Sequence, residues 1–133
     1  MYNNAWKKKV INHLEVCEEI IEAEETDDLG FRMTVMAENA INLLTMSLGK
    51  KPKKQYYQLE LTVKNFASKG LLSKDYSKVL AEAYEYHRED SYVQTEPDEE
   101  PSLEDMAETF SSLKDMVVEI EAHLKKEGHL ARE

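Results

Sequence analysis

Apolar positions recur along this chain at spacings of three and four residues, the mark of helices that each bury one face. Trp6, Val10, Leu14, Cys17 and Ile21 draw the first stripe and predict an amphipathic helix over about Asn4 to Glu25. Lys7, Lys8 and Lys9 sit early in it and Glu18, Glu19, Glu22, Glu24 and Glu25 late, the reverse of what the helix macrodipole favours. Packing rather than local electrostatics must therefore hold this segment. Thr26, Asp27 and Asp28 offer N-cap acceptors for a second helix over about Leu29 to Leu48, whose stripe runs Met33, Met36 or Ala37, Ala40, Leu44 and Leu48. Phe31, Val35, Ile41, Leu43 and Met46 widen that stripe, so this helix is expected to be buried on more than one side and to be central. Gly49 suits its stop.

A basic loop, Lys50 to Lys54 around Pro52, leads to a third helix over about Gln55 to Lys69, with Leu59, Val63 and Phe66 inward and Gly70 closing it. A fourth begins near Ser73 or Lys74 and turns Tyr76, Leu80, Ala83 and then His87 to one side. Residues 92–101 change character and read as a solvated acidic loop, with Glu96 before Pro97 and Asp98, Glu99 and Glu100 between Pro97 and Pro101. Ser102 opens the last helix, with Asp105 in the fourth place of a capping-box-like pattern. Leu103, Met106, Phe110, Leu113, Val117, Ile120 and Leu124 then alternate spacings of three and four up to Gly128. Such a heptad seam serves either an intrachain core or a helix pair across a dimer.

Helices joined by short loops must lie roughly antiparallel to bury their stripes, so the fold class is all-α, an antiparallel up-and-down bundle of four to five helices. A length of 133 residues fits one domain over the whole chain and leaves no room for a second core. Four glycines and three prolines favour long uninterrupted helices over turn-rich β structure. The net charge of −10 opposes tight binding to duplex DNA, whose affinity comes largely from cations that neutralise phosphates. Cys17, the only cysteine, allows no intramolecular disulfide, and with no signal-like apolar region near the start the chain reads as cytoplasmic. No apolar run approaches the ~20 residues that span a bilayer.

Candidate chemistry is sparse. Carboxylate-bridged metal sites in bundles need Glu-x-x-His on two helices, and none of His13, His87, His123 and His129 has an acid three residues before it. Glu119 with His123, and His13 with Cys17, share a face at i and i+4, but each pair is half of a zinc site; surface charge pairing and core packing are the ordinary readings. No metal and no cofactor are expected. Cys17 lies on a buried stripe with no evident base or cation to form its thiolate, so no catalytic nucleophile is assigned. Lys50 to Lys54 could meet a phosphate backbone or an acidic partner, or simply be solvated. The richest constellation is Tyr84, Tyr86, His87, Arg88, Glu89, Asp90 and Tyr92. These aromatics, imidazole and guanidinium would stack on a base and grip a phosphate, or would form a polar cap ending the helix with Arg88 paired to a carboxylate.

The stretch Arg32-Met-Thr-Val-Met-Ala-Glu-Asn-Ala-Ile-Asn-Leu-Leu44, then Asn65-Phe-Ala-Ser-Lys-Gly-Leu-Leu72, the turn Tyr86-His-Arg-Glu-Asp-Ser-Tyr92 and the long final helix follow in the order found in the HEPN superfamily, which the chain resembles over most of its length. That resemblance implies a small helical bundle of the kind encoded beside nucleotidyltransferases and in toxin–antitoxin pairs. Nuclease members carry Arg, four to six residues, then His; here residues 37–39 after Arg32 read Ala-Glu-Asn and residues 93–95 after Arg88 read Val-Gln-Thr, so that motif is absent. A related branch ends its fourth helix in a charged turn closing on Asp-Tyr, of which Ser91-Tyr92 keeps the tyrosine. The resemblance thus implies a homodimeric binding module for a nucleotide, single-stranded RNA or a nucleotidyltransferase-type partner, with Arg88 on phosphate and His87, Tyr92 and Tyr84 lining the site. Two alternatives stand beside it: a metal-independent endoribonuclease with His87 as general acid or base and Arg88 steadying the phosphorane, and a purely structural adaptor.

Overall fold

The computed structural model describes residues 3–91 and 102–130, and within them every regular element is a helix. The first, α1, runs Asn3–Trp6, passes through a π-helical turn over Lys7–Ile11 and continues as Asn12–Glu22 without leaving helical backbone angles. The stripe explains the wide turn. Two successive spacings of four overshoot the roughly 3.6 residues of an α-turn, and an i→i+5 turn absorbs the excess, so that Trp6, Val10 and Leu14 are all buried. Asn39 Nδ2 donates to the Lys9 carbonyl within this turn at 3.2 Å.

Helix α2 spans Leu29–Ser47, α3 Tyr56–Ser68, α4 Ser77–Ser91 and α5 Leu103–Lys126. Cross-helix contacts fix their directions. Lys9 and His13 of α1 meet Asn39 and Arg32 of α2. Thr34 and Phe31 of α2 meet Ala83 and His87 of α4. Tyr76, just before α4, meets Glu119, and Glu82 meets Thr109. Trp6 and Glu18 of α1 meet Glu121 and Lys114 of α5. In each pair one number rises as the other falls, so α1, α2, α4 and α5 form an antiparallel ring, with α2 touching every other helix. Helix α3 is inserted in the connection from α2 to α4 and packs on those two through Leu59, Val63 and Phe66.

The buried side chains of all five helices join one hydrophobic cluster. The α5 seam belongs to it: Met106, Phe110, Leu113, Val117, Ile120 and Leu124 are buried in the chain's own core. No helix among the described residues is long and apolar enough to cross a membrane.

Several boundaries and faces differ from expectation. Helix α1 stops at Glu22 rather than Glu25, because Glu24 takes a left-handed φ of 59° and the Glu25 N–H turns back to the Ile20 carbonyl at 3.1 Å. Helix α4 begins at Ser77 rather than near Ser73, since Asp75 Oδ1 accepts from the Ser77 N–H at 2.9 Å and Ser73 is held elsewhere. Ser102 caps α5 through Asp105 N–H at 3.0 Å, in keeping with the pattern. Of the residues expected to widen the α2 stripe, Ile41 and Leu43 are buried, but Phe31 and Met46 are exposed, as is Leu48 at the end of the stripe. The acidic loop at 92–101 lies outside the described residues.

Candidate functional site

The helical period divides the aromatic constellation of α4. Tyr84 and His87, three residues apart, share one face; Tyr86 turns toward α5 and lines a hollow of about 330 Å³ with Glu82, Asp105, Glu108, Thr109 and Ser112. Tyr92 and the side chain of Arg88 lie outside the described residues. The structure therefore brings together two of the four expected site residues, Tyr84 and His87, and adds three that the sequence did not offer: Tyr56, Phe31 and Arg32.

These side chains form a continuous row across three helices. Tyr56 at the start of α3 stacks on Tyr84 with centroids 4.0 Å apart and planes 22° apart. Tyr84 meets the His87 ring edge-on at 6.1 Å, and His87 meets Phe31 at 5.4 Å with planes tilted by 49°. The Arg32 guanidinium carbon stands 6.0 Å from the Phe31 centroid, within cation–π reach. Phe31 is 39% exposed, so this end of the row presents a ring to solvent.

The row is electrically polar. At the α3 end, burial first and then Glu60, Glu85 and Tyr84 push the Tyr56 hydroxyl up to about 12, which keeps it a neutral donor across the physiological range. At the α2 end Arg32 supplies positive charge. Its Nε pairs with Asp28 Oδ2 at 3.0 Å, and its Nη1 lies 3.4 Å from His13 Nδ1. Burial, then Arg32, lowers the His13 pKa, so the ring is neutral and offers Nδ1 as an acceptor to the guanidinium. Glu38 shares the Phe31 face of α2 two turns on, and burial lifts its carboxyl above the ordinary value.

Cys17 needs one correction. A cation does stand near it: Arg32 opposes the shift, but burial dominates and Asp28 and Glu18 add to it, so the thiol is pushed up to about 12. Its inertness thus comes from desolvation and not from lack of a neighbouring cation. Glu119, paired with His123 by spacing, is engaged elsewhere. Glu119 accepts from the Ser73 N–H at 2.7 Å, from Ser73 Oγ at 3.0 Å and from the Tyr76 hydroxyl, fastening the α3–α4 loop to α5 instead of meeting His123. Among the described residues no three His, Cys, Asp or Glu side chains gather as a ligand set.

No sequence signal marked Tyr56 and Arg32 as neighbours of His87, because they lie on separate helices 31 and 55 positions away from it. Phe31 carried a misleading signal, since its place in a widened apolar stripe spoke for burial. Compared with protein-family models, with curated proteins and with solved structures, the chain has no match.

Proposed function

We propose that this chain is a HEPN-like binding module that holds a nucleotide or a short single-stranded RNA on the ring row of α2, α3 and α4, and that it works as a homodimer beside a nucleotidyltransferase-type partner in a toxin–antitoxin-like setting. The observation that carries the reading is the row itself: four rings in succession, ending in a half-exposed Phe31 with a guanidinium beside it. Rings accept any base by stacking, worth about 1–3 kcal/mol per base, and a neighbouring arginine adds attraction for phosphate. The polarity of the row orients the ligand. Glu60 and Glu85 repel phosphate from the Tyr56 end, so the base lies toward the rings and the phosphate toward Arg32, with Arg88 on the same helix as His87 as the second cation.

The test is a titration of the full chain with nucleotides and short single-stranded RNAs, followed by thermal unfolding. A ligand at 100 times its dissociation constant adds about 2.7 kcal/mol of stability. Phe31→Ala should remove most of that gain and Arg88→Ala part of it, while the unliganded melting temperature stays close to that of the parent. No stabilisation by any ligand of the panel, or a gain that survives both substitutions, overturns the assignment.

A further inference from the structure

The loop before α3 and the outer face of that helix differ in charge from the rest of the molecule. Residues 50–69 hold six lysines against one acid, Glu60, a local charge of +5 within a chain of −10. Lys50, Lys51 and Lys54 are exposed and Lys53 half-exposed, and none of the four pairs with a carboxylate among the described residues. The loop is nonetheless held in place. The Lys50 N–H donates to the Thr45 carbonyl at 3.2 Å. The Lys53 N–H donates to Asn42 Oδ1 at 2.8 Å, and Asn42 Nδ2 donates to the Lys53 carbonyl at 2.9 Å. These bonds lay the loop back along α2 and hold a stretch that carries four like charges in five residues. A linker whose only task was to stay solvated would lower its repulsion by letting them spread.

Directly after the loop, α3 turns Tyr57 and Leu61 outward, each 60% exposed and one helical turn apart, with Lys64 next on the same face. Neither takes part in the core. Single exposed apolar residues are ordinary, but two stacked on one face and bordered by lysines make a strip suited to a partner.

We infer that this strip docks an acidic segment of another protein that carries apolar anchors, its carboxylates meeting Lys50, Lys51, Lys53, Lys54 and Lys64 while its apolar side chains cover Tyr57 and Leu61. Charge complementarity selects the occupant: with a local charge of +5 the strip attracts carboxylates laid directly on it, while salt screens, beyond a Debye length of about 10 Å, the repulsion from a chain that carries −10 as a whole. Leu61 favours protein over RNA, because a leucine offers no ring on which a base stacks but gains fully from an apolar side chain laid over it, whereas the equally exposed Tyr57 ring serves either. The strip is built from residues outside the ring row, so it stands independently of nucleotide binding there.

The experiment uses the full chain and a fluorescent synthetic amphipathic peptide with glutamates on one helical face and leucines on the other, read by anisotropy. Binding is expected, weakening with added salt. It should fall about tenfold in Leu61→Ala, and at least as far when Lys50, Lys51, Lys53 and Lys54 are all changed to Ser, with circular-dichroism melting of both variants unchanged. The same peptide with lysines in place of its glutamates should not bind. Three results would overturn the inference: no binding of the acidic peptide at low salt; complete competition by poly(A) RNA together with indifference to Leu61→Ala, which would mark a phosphate surface; or self-association that Leu61→Glu abolishes, which would mean that a second copy covers the strip.

Discussion

The Glu119 carboxylate shows how one side chain can order a stretch of backbone. Burial by itself would raise its pKa, but hydrogen bonds from Tyr76 and from both the N–H and hydroxyl of Ser73, with Lys74 nearby, outweigh that and hold it below the ordinary carboxylate value. Its partner moves the other way: burial first, then the Glu119 bond, pushes the Tyr76 hydroxyl up to about 12. A carboxyl whose folded pKa is depressed contributes stability that is fully present above its unfolded pKa and is lost as pH falls through the folded one. Glu119→Gln should cost about 0.5–1.5 kcal/mol at neutral pH, the range for hydrogen bonds that solvent partly screens, since its two bonds to Ser73 are exposed. The gap between the two proteins, measured by urea unfolding, should close as the solution is acidified below the unfolded carboxyl range. A gap that persists unchanged in acid would mean that shape, not charge, fastens the loop. The sequence showed Glu119 and His123 as an i, i+4 pair on one helix; it could not show Ser73 and Tyr76, which reach Glu119 only once α4 has packed on α5.

At the level of the helix, local pattern was a good guide to faces and a weaker one to ends. The α5 seam was legible because its spacings of three and four persist over the whole helix, and the fold buries it from Met106 to Leu124, leaving Leu103 partly exposed at its start. Leu113→Ala, at a fully buried seam position, should cost about 2–5 kcal/mol in denaturant unfolding, with transfer and cavity terms adding. Val118→Ala, one helix face away and 57% exposed, should cost within about 0.5 kcal/mol. Comparable losses at the two positions would show that the seam does not lie in the core. Helix ends were harder. Gly49, Gly70 and Gly128 sit at positive φ where the sequence set the stops, but Glu24 makes the same left-handed turn without being a glycine, and nothing in its identity announced it. The π-turn in α1 was present in the stripe as two successive spacings of four, a signal too small to be read until the buried positions on both sides were known.

Across the molecule, five helices share one cluster and α2 touches each of the others, so no helix has a core of its own to keep. Unfolding should accordingly be a single transition, with Trp6 fluorescence, which reports on α1 against α5, coinciding with the far-ultraviolet signal of all helices. Separate midpoints for the two probes would divide the cluster into independent parts. The sequence by itself determined the all-α class and the buried face of nearly every helix, because those follow from periodicity, caps and glycine stops that act within a few residues. It did not determine which helices are neighbours. The insertion of α3 outside the four-helix ring, the exposure of Phe31, the row that joins Tyr56 and Tyr84 to His87, and the arginine set against His13 all depend on contacts between residues far apart in the chain. Such contacts carry no local pattern, and only the packed tertiary structure decides them.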